Sequence, residues 1–414
     1  MTLEQRHKIT PPAHVLEVLR TLEQAGWEAW LVGGCVRDSL LGRPVQDYDA
    51  ATNAPPERVL GLFPVVRPTG LAYGGVTVVL PQGRVEVTSF RTDQAYGDRR
   101  AAGGIRLGAT IQEDAARRDF TIGALCWHPE RGLHDPTGQG LEDLDRGILR
   151  AVGEPRRRFA EDPLRILRGA RFAAQLGFVL EEETRGALGD CTPGLARVSR
   201  ERVTAELLKL LTAPHPQQMA LLGECGALDL LFDGALLPHP RRDYELPGRL
   251  PPREALRLAA FCLGVGLPLP VLDRGLRLPR ALYGEAARLL TLCLHRPSGD
   301  VLWLKARLSR YSPGTVADAL RLWQATQGQS PQLLARSLDT LERLVAGGDP
   351  CRVDQLAVGG RELLALGIPP REVGCCLRSL VVLCLASPQY NTRDGLLAQA
   401  AALWGTDTPG LRQP

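Results

Sequence analysis

Aromatic residues supply only 5% of this 414-residue chain, methionine occurs twice, and lysine stands at positions 8, 209 and 305 alone. With so few rings, the cores must rest on Leu, Val and Ala. No run of about 18 uncharged apolar residues is present, which leaves no candidate for a membrane-spanning helix. The opening "MTLEQRHKIT" carries no apolar signal segment. A soluble, cytoplasmic protein with no membrane partner is therefore expected. The ten cysteines are scattered, with no CxxC and one adjacent pair, Cys375-Cys376, so neither a zinc site nor a disulfide framework is indicated. The seven histidines form no HxxxH or His-Asp cluster, which argues against a histidine-based metal hydrolase.

The net charge of +4 does not by itself imply a nucleic-acid partner. Its make-up says more, since 47 of the 50 basic residues are arginine. Gene base composition produces the same excess, so the arginines gain meaning only from where they stand. Arginine is nevertheless the better residue for forked contacts to phosphate and for stacking on bases.

The length predicts two to four domains. Residues 1 to about 150 mix strands and helices, with strand-like runs at "GGVTVVL" (74–80), "RVEVTSF" (84–90) and "IRLGATI" (105–111). Pro81, Gln82 and Gly83 mark a hairpin between the first two. Beyond about 158 the pattern is helical, broken by Pro/Gly-rich loops at 212–216, 236–252 and 296–300.

The stretch "LVGGCVRDSLLGRPVQDYDAAT" (31–52) concentrates the chemistry. An apolar run stops at Gly33-Gly34, which reads as a strand ending in a tight turn. Glycines there let backbone N–H groups approach an anion closely. "CVRDSLLG" predicts a short helix whose start would favour an anion. "VQDYDAAT" reads as a strand, which would project Asp47 and Asp49 to one face. Adjacent carboxylates repel unless a hard cation sits between them, and Mg²⁺ takes one or two carboxylates together with substrate phosphates. Two solvated acids at a strand edge is the plainer alternative. The order strand, Gly-Gly, helix, Asp-x-Asp favours the metal.

Glu86, in "RVEVTSF", is a third carboxylate near the metal if its strand lies beside that of Asp47 and Asp49; otherwise it is an outward-facing strand residue. "EDAARRDFTIGAL" (113–125) places Arg117, Arg118 and Asp119 at a predicted helix start, with more basic charge than one ion pair needs. "HDPTGQGLEDLDRG" (134–147) reads as a turn-rich bridge. In "RFAEDPLRILRGARFAAQLGF" (158–178), Asp162, Arg165, Arg168 and Arg171 recur every third residue. On one helix such a row drifts by roughly 60° per step. Asp162 and Arg165 would meet one partner and Arg171 another part of it, although a solvated face with an i,i+3 salt bridge has the same spacing.

With these residues in order, the chain resembles the class II tRNA nucleotidyltransferases, the CCA-adding enzymes and bacterial poly(A) polymerases of the polymerase-beta-like superfamily. The motifs that carry the likeness are "LVGGCVRDSLLGRPVQDYDAAT", "GLAYGGVTVV", "VEVTSFRT", "RRDFTIGAL", "DPTGQGLEDLDRGILRAVGEP" and "RFAEDPLRILRGARFAAQLGF", followed by "SRERVTAELLKLL" and, in the tail, "GRELLALGIPPREVGCCLRSL". The resemblance implies an α+β fold: a nucleotidyltransferase head (1–150) followed by an all-helical neck (151–214), body (215–295) and tail (296–414). It implies transfer of CMP and AMP from CTP and ATP to the tRNA 3′ end without a nucleic-acid template, with Mg²⁺ as cofactor. Carried over by motif, Asp47 and Asp49 resemble the metal-binding catalytic pair, Gly34 and Arg37 the triphosphate contacts and Arg118 a nucleotide contact. Asp162 and Arg165 resemble the base-reading pair, and Arg168 and Arg171 further contacts.

Two departures bear on the activity. Gly123 stands where the family usually has Asn. The segment 91–108, with Tyr96, Asp98, Arg99 and Arg100, keeps the full length of the loop associated with switching from C to A addition, but lacks the usual proline after the Arg pair. "GLAYGGVTVV" follows the CCA-adding pattern and not the polyadenylating one. The readings rank as CCA addition, A-only addition, CC-only addition and polyadenylation. A non-catalytic tRNA-end-binding protein would be indicated by loss of a catalytic acid, and both acids are present.

Overall fold

The computed structural model describes residues 8–93, 105–107, 109–238, 241–295, 297–327, 330–347 and 350–404. Most of the loop expected to govern the C-to-A switch, including Tyr96 to Gly104, therefore lies outside the described residues. The chain divides into two compact units, Met1–Gly234 and Ala235–Pro414.

The first unit carries a seven-stranded mixed sheet. Its strands are β1 (Ala29–Val32), β2 (Asp49–Thr52), β3 (Val66–Gly70), β4 (Gly75–Leu80), β5 (Gly83–Ser89), β8 (Cys126–His128) and β9 (Gly132–His134), in the spatial order β3-β4-β5-β2-β1-β8-β9. A separate ribbon pairs β6 (Arg91–Asp93) with β7 (Ile105–Leu107). β1 is buried along its whole length, as its uninterrupted run "AWLV" requires. All pairings within the large sheet are antiparallel except β2 with β5. That one parallel pairing needs a crossover, which α3 (Pro56–Leu62), β3 and β4 supply. It sets Asp49 opposite Glu86 in register.

Helix α1 (Ala13–Gln24) buries Val15, Val18, Leu19 and Leu22, an i,i+3,i+4,i+7 stripe. α2 (Gly34–Leu40) follows β1 directly. α4 (Ile111–Ala116) and α5 (Gly140–Arg146) flank a 3₁₀ turn at Thr121–Gly123. Then come α6 (Pro155–Glu161), α7 (Leu164–Leu176), α8 (Glu182–Cys191), α9 (Arg200–Thr212), α10 (Met219–Glu224) and α11 (Ala227–Leu231). Strand β11 (Val179–Leu180), which pairs in parallel with β10 (Ile148–Leu149), is the exception to the helical pattern after 158 among the described residues.

The second unit is built of helices α12 (Glu254–Val265), α13 (Leu269–Leu276), α14 (Arg280–Leu294), α15 (Val301–Leu308), α16 (Pro313–Gln327), α17 (Pro331–Ala346), α18 (Gly360–Ala365), α19 (Pro370–Ala386) and α20 (Arg393–Trp404). Three aliphatic clusters hold it together, centred on Leu256, Leu289 and Leu322, on Leu304, Val316 and Val381, and on Leu363, Leu380 and Leu396. Among the described residues no single helix is long and apolar enough to cross a membrane.

The α+β class expected from the sequence is the class observed, but four local readings change. The strand expected through "VQDYDAAT" begins only at Asp49, so Asp47 lies ahead of it. "IRLGATI" is strand only to Leu107; Thr110 caps α4 in a reciprocal capping box with Glu113, which converts the rest to helix. Arg117, Arg118 and Asp119 follow the end of α4 instead of opening a helix. The bridge 134–147 contains α5.

A fifth change matters more. The helix 158–178 is broken into α6 and α7 at Asp162, whose backbone is extended at φ −141°, ψ 99°. Pro163 dictates this, since a residue preceding proline is pushed out of the helical region. Asp162 thus leaves the diagonal row, which continues through Arg165, Arg168 and Arg171 on α7.

Gly140 pins α5 under the Thr121–Gly123 turn: a Cβ there would stand 2.7 Å from the Thr121 carbonyl oxygen and 2.9 Å from Leu125. Gly140→Ala should destabilise the protein by about 1–3 kcal/mol through overpacking, read by urea unfolding.

Candidate active site

Gly33 ends β1 at φ 74°, ψ −129°, a conformation that side chains rarely adopt, and caps α2. A Cβ on Gly33 would lie 3.0 Å from Arg118 Nη1, so the guanidinium rests against the glycine turn. Arg118 Nη1 donates to the Gly123 carbonyl at 3.0 Å and Nη2 to Asp114 at 3.2 Å. Its Nε is buried with no hydrogen-bond partner. A buried guanidinium N–H left unpaired at a glycine turn calls for an acceptor from outside the chain. Asp114 is itself buried and also accepts two bonds from Arg117, so one acid anchors both arginines of the "RRD" motif.

The Arg118 charge is also felt by Asp49. Asp49 and Glu86 are direct partners across the parallel β2–β5 pair, which puts their side chains on one face. Burial, then the charge of Glu86 and to a lesser degree that of Asp47, pushes the Asp49 carboxyl up to about 6, against the pull of Arg118. The Asp47 carboxylate is exposed and 3.3 Å from Arg84 Nη2. Among the described residues no ready-made cage of three or more His, Cys, Asp or Glu ligands converges. The donor set nevertheless suits a hard cation: all-oxygen, anionic, and mutually repelling at Asp49. Beneath it, burial pushes the Cys35 thiol up to about 11, so this cysteine is an inert packing residue.

Arg37, in α2, is largely buried and donates Nε and Nη2 to Asp38 at 2.9 and 3.0 Å. Gly34 opens α2 one residue after the turn. On α7, Arg168 Nε donates to Asp119 at 2.6 Å, and Arg171 donates to the buried Glu206 of α9 and to Gln175. Burial works against the Asp119 charge, but Arg168 and the Phe120 N–H outweigh it and hold the carboxyl below its ordinary value. For Arg171 burial prevails over the Glu206 charge and lowers its pKa.

Asp162 and Arg165 are joined through backbone, Arg165 N–H to Asp162 carbonyl at 3.0 Å, and their side chains engage different partners. Asp162 accepts Arg202 Nη2 at 2.8 Å. Arg165 donates Nη1 to the Arg158 carbonyl and Glu161, and Nη2 to the Arg117 carbonyl. The latter bond ties α7 to the "RRD" segment.

The chain matches the family model described as Poly A polymerase head domain over residues 29–150, and that described as Probable RNA and SrmB- binding site of polymerase A over 177–236. It is 37% identical to a CCA-adding enzyme of Geobacillus stearothermophilus over 303 residues, 72% of this chain and 74% of the relative. A CCA-adding enzyme of Geobacillus sp. (strain WCH70) is 34% identical over 361 residues, 86% of this chain and 87% of the relative. The chain belongs to the CCA-adding enzyme family. The crystal structure of the Bacillus stearothermophilus CCA-adding enzyme in complex with CTP has the same fold, with a TM-score of 0.79 at 29% identity, covering 96% of this chain and 98% of that one.

In this family member the sequence motifs located the glycine turn, the acids and the arginine row. They missed Glu161 and Glu206, which hold Arg165 and Arg171 of the row, Asp114, which holds Arg117 and Arg118, and Arg202, which pairs with Asp162. Only Pro163, in "EDPLR", was a local signal for the break that releases Asp162.

Gly33→Ala forces a side chain into a left-handed backbone and onto Arg118. We expect a stability loss of about 1–3 kcal/mol and a raised KM for both CTP and ATP, measured by thermal melting and steady-state kinetics.

Proposed function

We propose that this enzyme builds or repairs the CCA terminus of tRNA, transferring CMP and AMP from CTP and ATP to the 3′ end without a nucleic-acid template. The observation that carries the reading is the Arg118 guanidinium, which lies against the glycine turn through Nη1, keeps a buried Nε unpaired, and acts by its charge on Asp49, the strand partner of Glu86. That arrangement suits a triphosphate on one side and a cation on the other. Residues 1–150 act as catalytic head, 151–214 as nucleotide-reading neck, and 215–295 and 296–414 as tRNA-binding body and tail. The enzyme works in the cytoplasm.

Asp47, Asp49 and Glu86 would hold Mg²⁺, which when bound supplies the charge neutralisation that an in-line displacement at phosphorus needs. The chain's own residues bind and orient. The Gly33 N–H is taken by the Leu125 carbonyl at 3.1 Å, so the Gly34 N–H, Arg37 and Arg118 receive the triphosphate. Arg165, with both Nη atoms committed, is oriented in advance and keeps Nε as a donor. Asp162 is an acceptor whose carboxylate has lone pairs beyond those taken by Arg202 and the Leu164 N–H. Cytosine and adenine each offer an amino donor beside a ring-nitrogen acceptor, and uracil and guanine offer the reverse. Mismatching buried partners costs about 1–3 kcal/mol each, enough to reject UTP and GTP. Arg168 and Arg171 add positive charge beside the bound nucleotide.

The test uses tRNAs ending at the discriminator base, at C and at CC, each incubated with CTP or ATP alone. C is expected on the first two and A only on the third. Failure with ATP on the CC-ended tRNA would make the enzyme CC-adding, and failure with CTP on both shorter tRNAs would make it A-adding. In the same assay Asp162→Ala should lower CTP and ATP use by about 10- to 100-fold and narrow the gap to UTP. Unchanged discrimination would remove Asp162 from the reading site.

A further inference from the structure

Phe172, on α7, is partly buried and is one of only eight phenylalanines in the chain. The guanidinium carbons of Arg37, Arg168 and Arg171 lie 5.4, 5.4 and 4.0 Å from its ring centroid. Phe120 packs edge-to-face on the same ring, at 5.7 Å between centroids and 82° between planes. One phenyl ring thus serves three like charges, and a second ring fixes its tilt.

Each of the three arginines has its own acid: Asp38 for Arg37, Asp119 for Arg168 and Glu206 for Arg171. Arg37, however, pairs with its chain neighbour. Of its ion-pair and ring contacts among the described residues, only that with Phe172 reaches α7. The ring therefore joins the guanidinium at the phosphate end of the site to the two guanidiniums of the neck helix. The negative face of an aromatic ring attracts a cation without neutralising it. The ring takes up none of the guanidinium N–H donors, so those not bound to the acids stay available for an anionic ligand, whereas a further carboxylate would occupy them.

We propose that Phe172 is a positioning residue for the phosphates of the incoming nucleotide, acting through Arg37 and coupling it to Arg168 and Arg171. The proposal rests on the reading in which Arg37 meets the triphosphate. It is tested by inhibition with inorganic pyrophosphate and by KM and kcat for CTP and ATP, on the full-length chain. The variants are Phe172→Leu, Phe172→Tyr, Arg37→Ala and the double variant Phe172→Leu/Arg37→Ala. Phe172→Leu should weaken pyrophosphate inhibition and raise both KM values about 3- to 10-fold, while Phe172→Tyr, which keeps the ring, stays within about twofold of the parent. Arg37→Ala should weaken pyrophosphate inhibition further, and adding Phe172→Leu to it should cost less than in the parent. If Phe172→Leu does not fold, as judged by thermal melting, Phe172→Met takes its place.

Equal losses in the Leu and Tyr variants would overturn the proposal, because packing and not the ring face would then be at work. Unchanged pyrophosphate inhibition in Phe172→Leu, with a loss in Arg37→Ala, would overturn it while leaving the phosphate reading intact. No loss in Arg37→Ala would remove the phosphate reading, and this proposal with it. Additive effects in the double variant would overturn the coupling through Arg37.

Discussion

The buried carboxylate of Asp119 accepts Arg168 Nε at 2.6 Å across a sequence separation of 49 residues, and much of the site's geometry depends on that ion pair. Asp119 follows the "RR" pair that lies on the glycine turn, and Arg168 sits midway along α7. A carboxylate this far from water needs a matched, hydrogen-bonded partner, and a hydrogen bond to a charged group contributes about 1.5–3 kcal/mol. The Arg165 bond to the Arg117 carbonyl and the Arg43 bond to the Gln175 carbonyl close the same seam by main-chain contacts. Within the first unit, the "RRD" segment and the loop after α2 are thereby held to α7.

Around this seam the charges are sorted. Burial, with the charges of Glu86 and Asp47, pushes the Asp49 carboxyl up to about 6. Arg37, Arg118, Arg168 and Arg171 are each held by an acid of their own, Asp38, Asp114, Asp119 and Glu206. The acids that hold these arginines are not the ones that crowd Asp49. Such separation is costly in a resting protein and reasonable in one that receives a triphosphate with its counter-ion.

How much of this was legible in the sequence follows from the range of each interaction. The glycine turn and α2 are local consequences of two glycines and a short 3.6-residue periodicity, and they were readable. The break at Asp162 was equally local, written in Pro163, but a regular spacing of charges masked it. The capping box Thr110–Glu113 was a sequence signal too, outweighed by the alternating pattern of "IRLGATI". The Asp49–Glu86 register depends on a parallel pairing made by an intervening crossover, which the sequence suggested without fixing. Glu206, Arg202 and Phe172 act through contacts 35 to 135 residues away, in segments whose own pattern is that of ordinary amphipathic helix. Burial of an acid is not written beside the acid.

The central claim is that the crowded acids exist to hold a cation for phosphoryl chemistry. Asp49→Asn tests it most directly, because asparagine keeps the shape of the side chain and removes one of the repelling charges. The measurement is the rate of CMP transfer from CTP to a discriminator-ended tRNA at saturating MgCl₂, compared with the parent. The account predicts a loss of about 10³-fold or more, as expected when several kcal/mol of transition-state charge stabilisation are withdrawn. Transfer within about tenfold of the parent would contradict it.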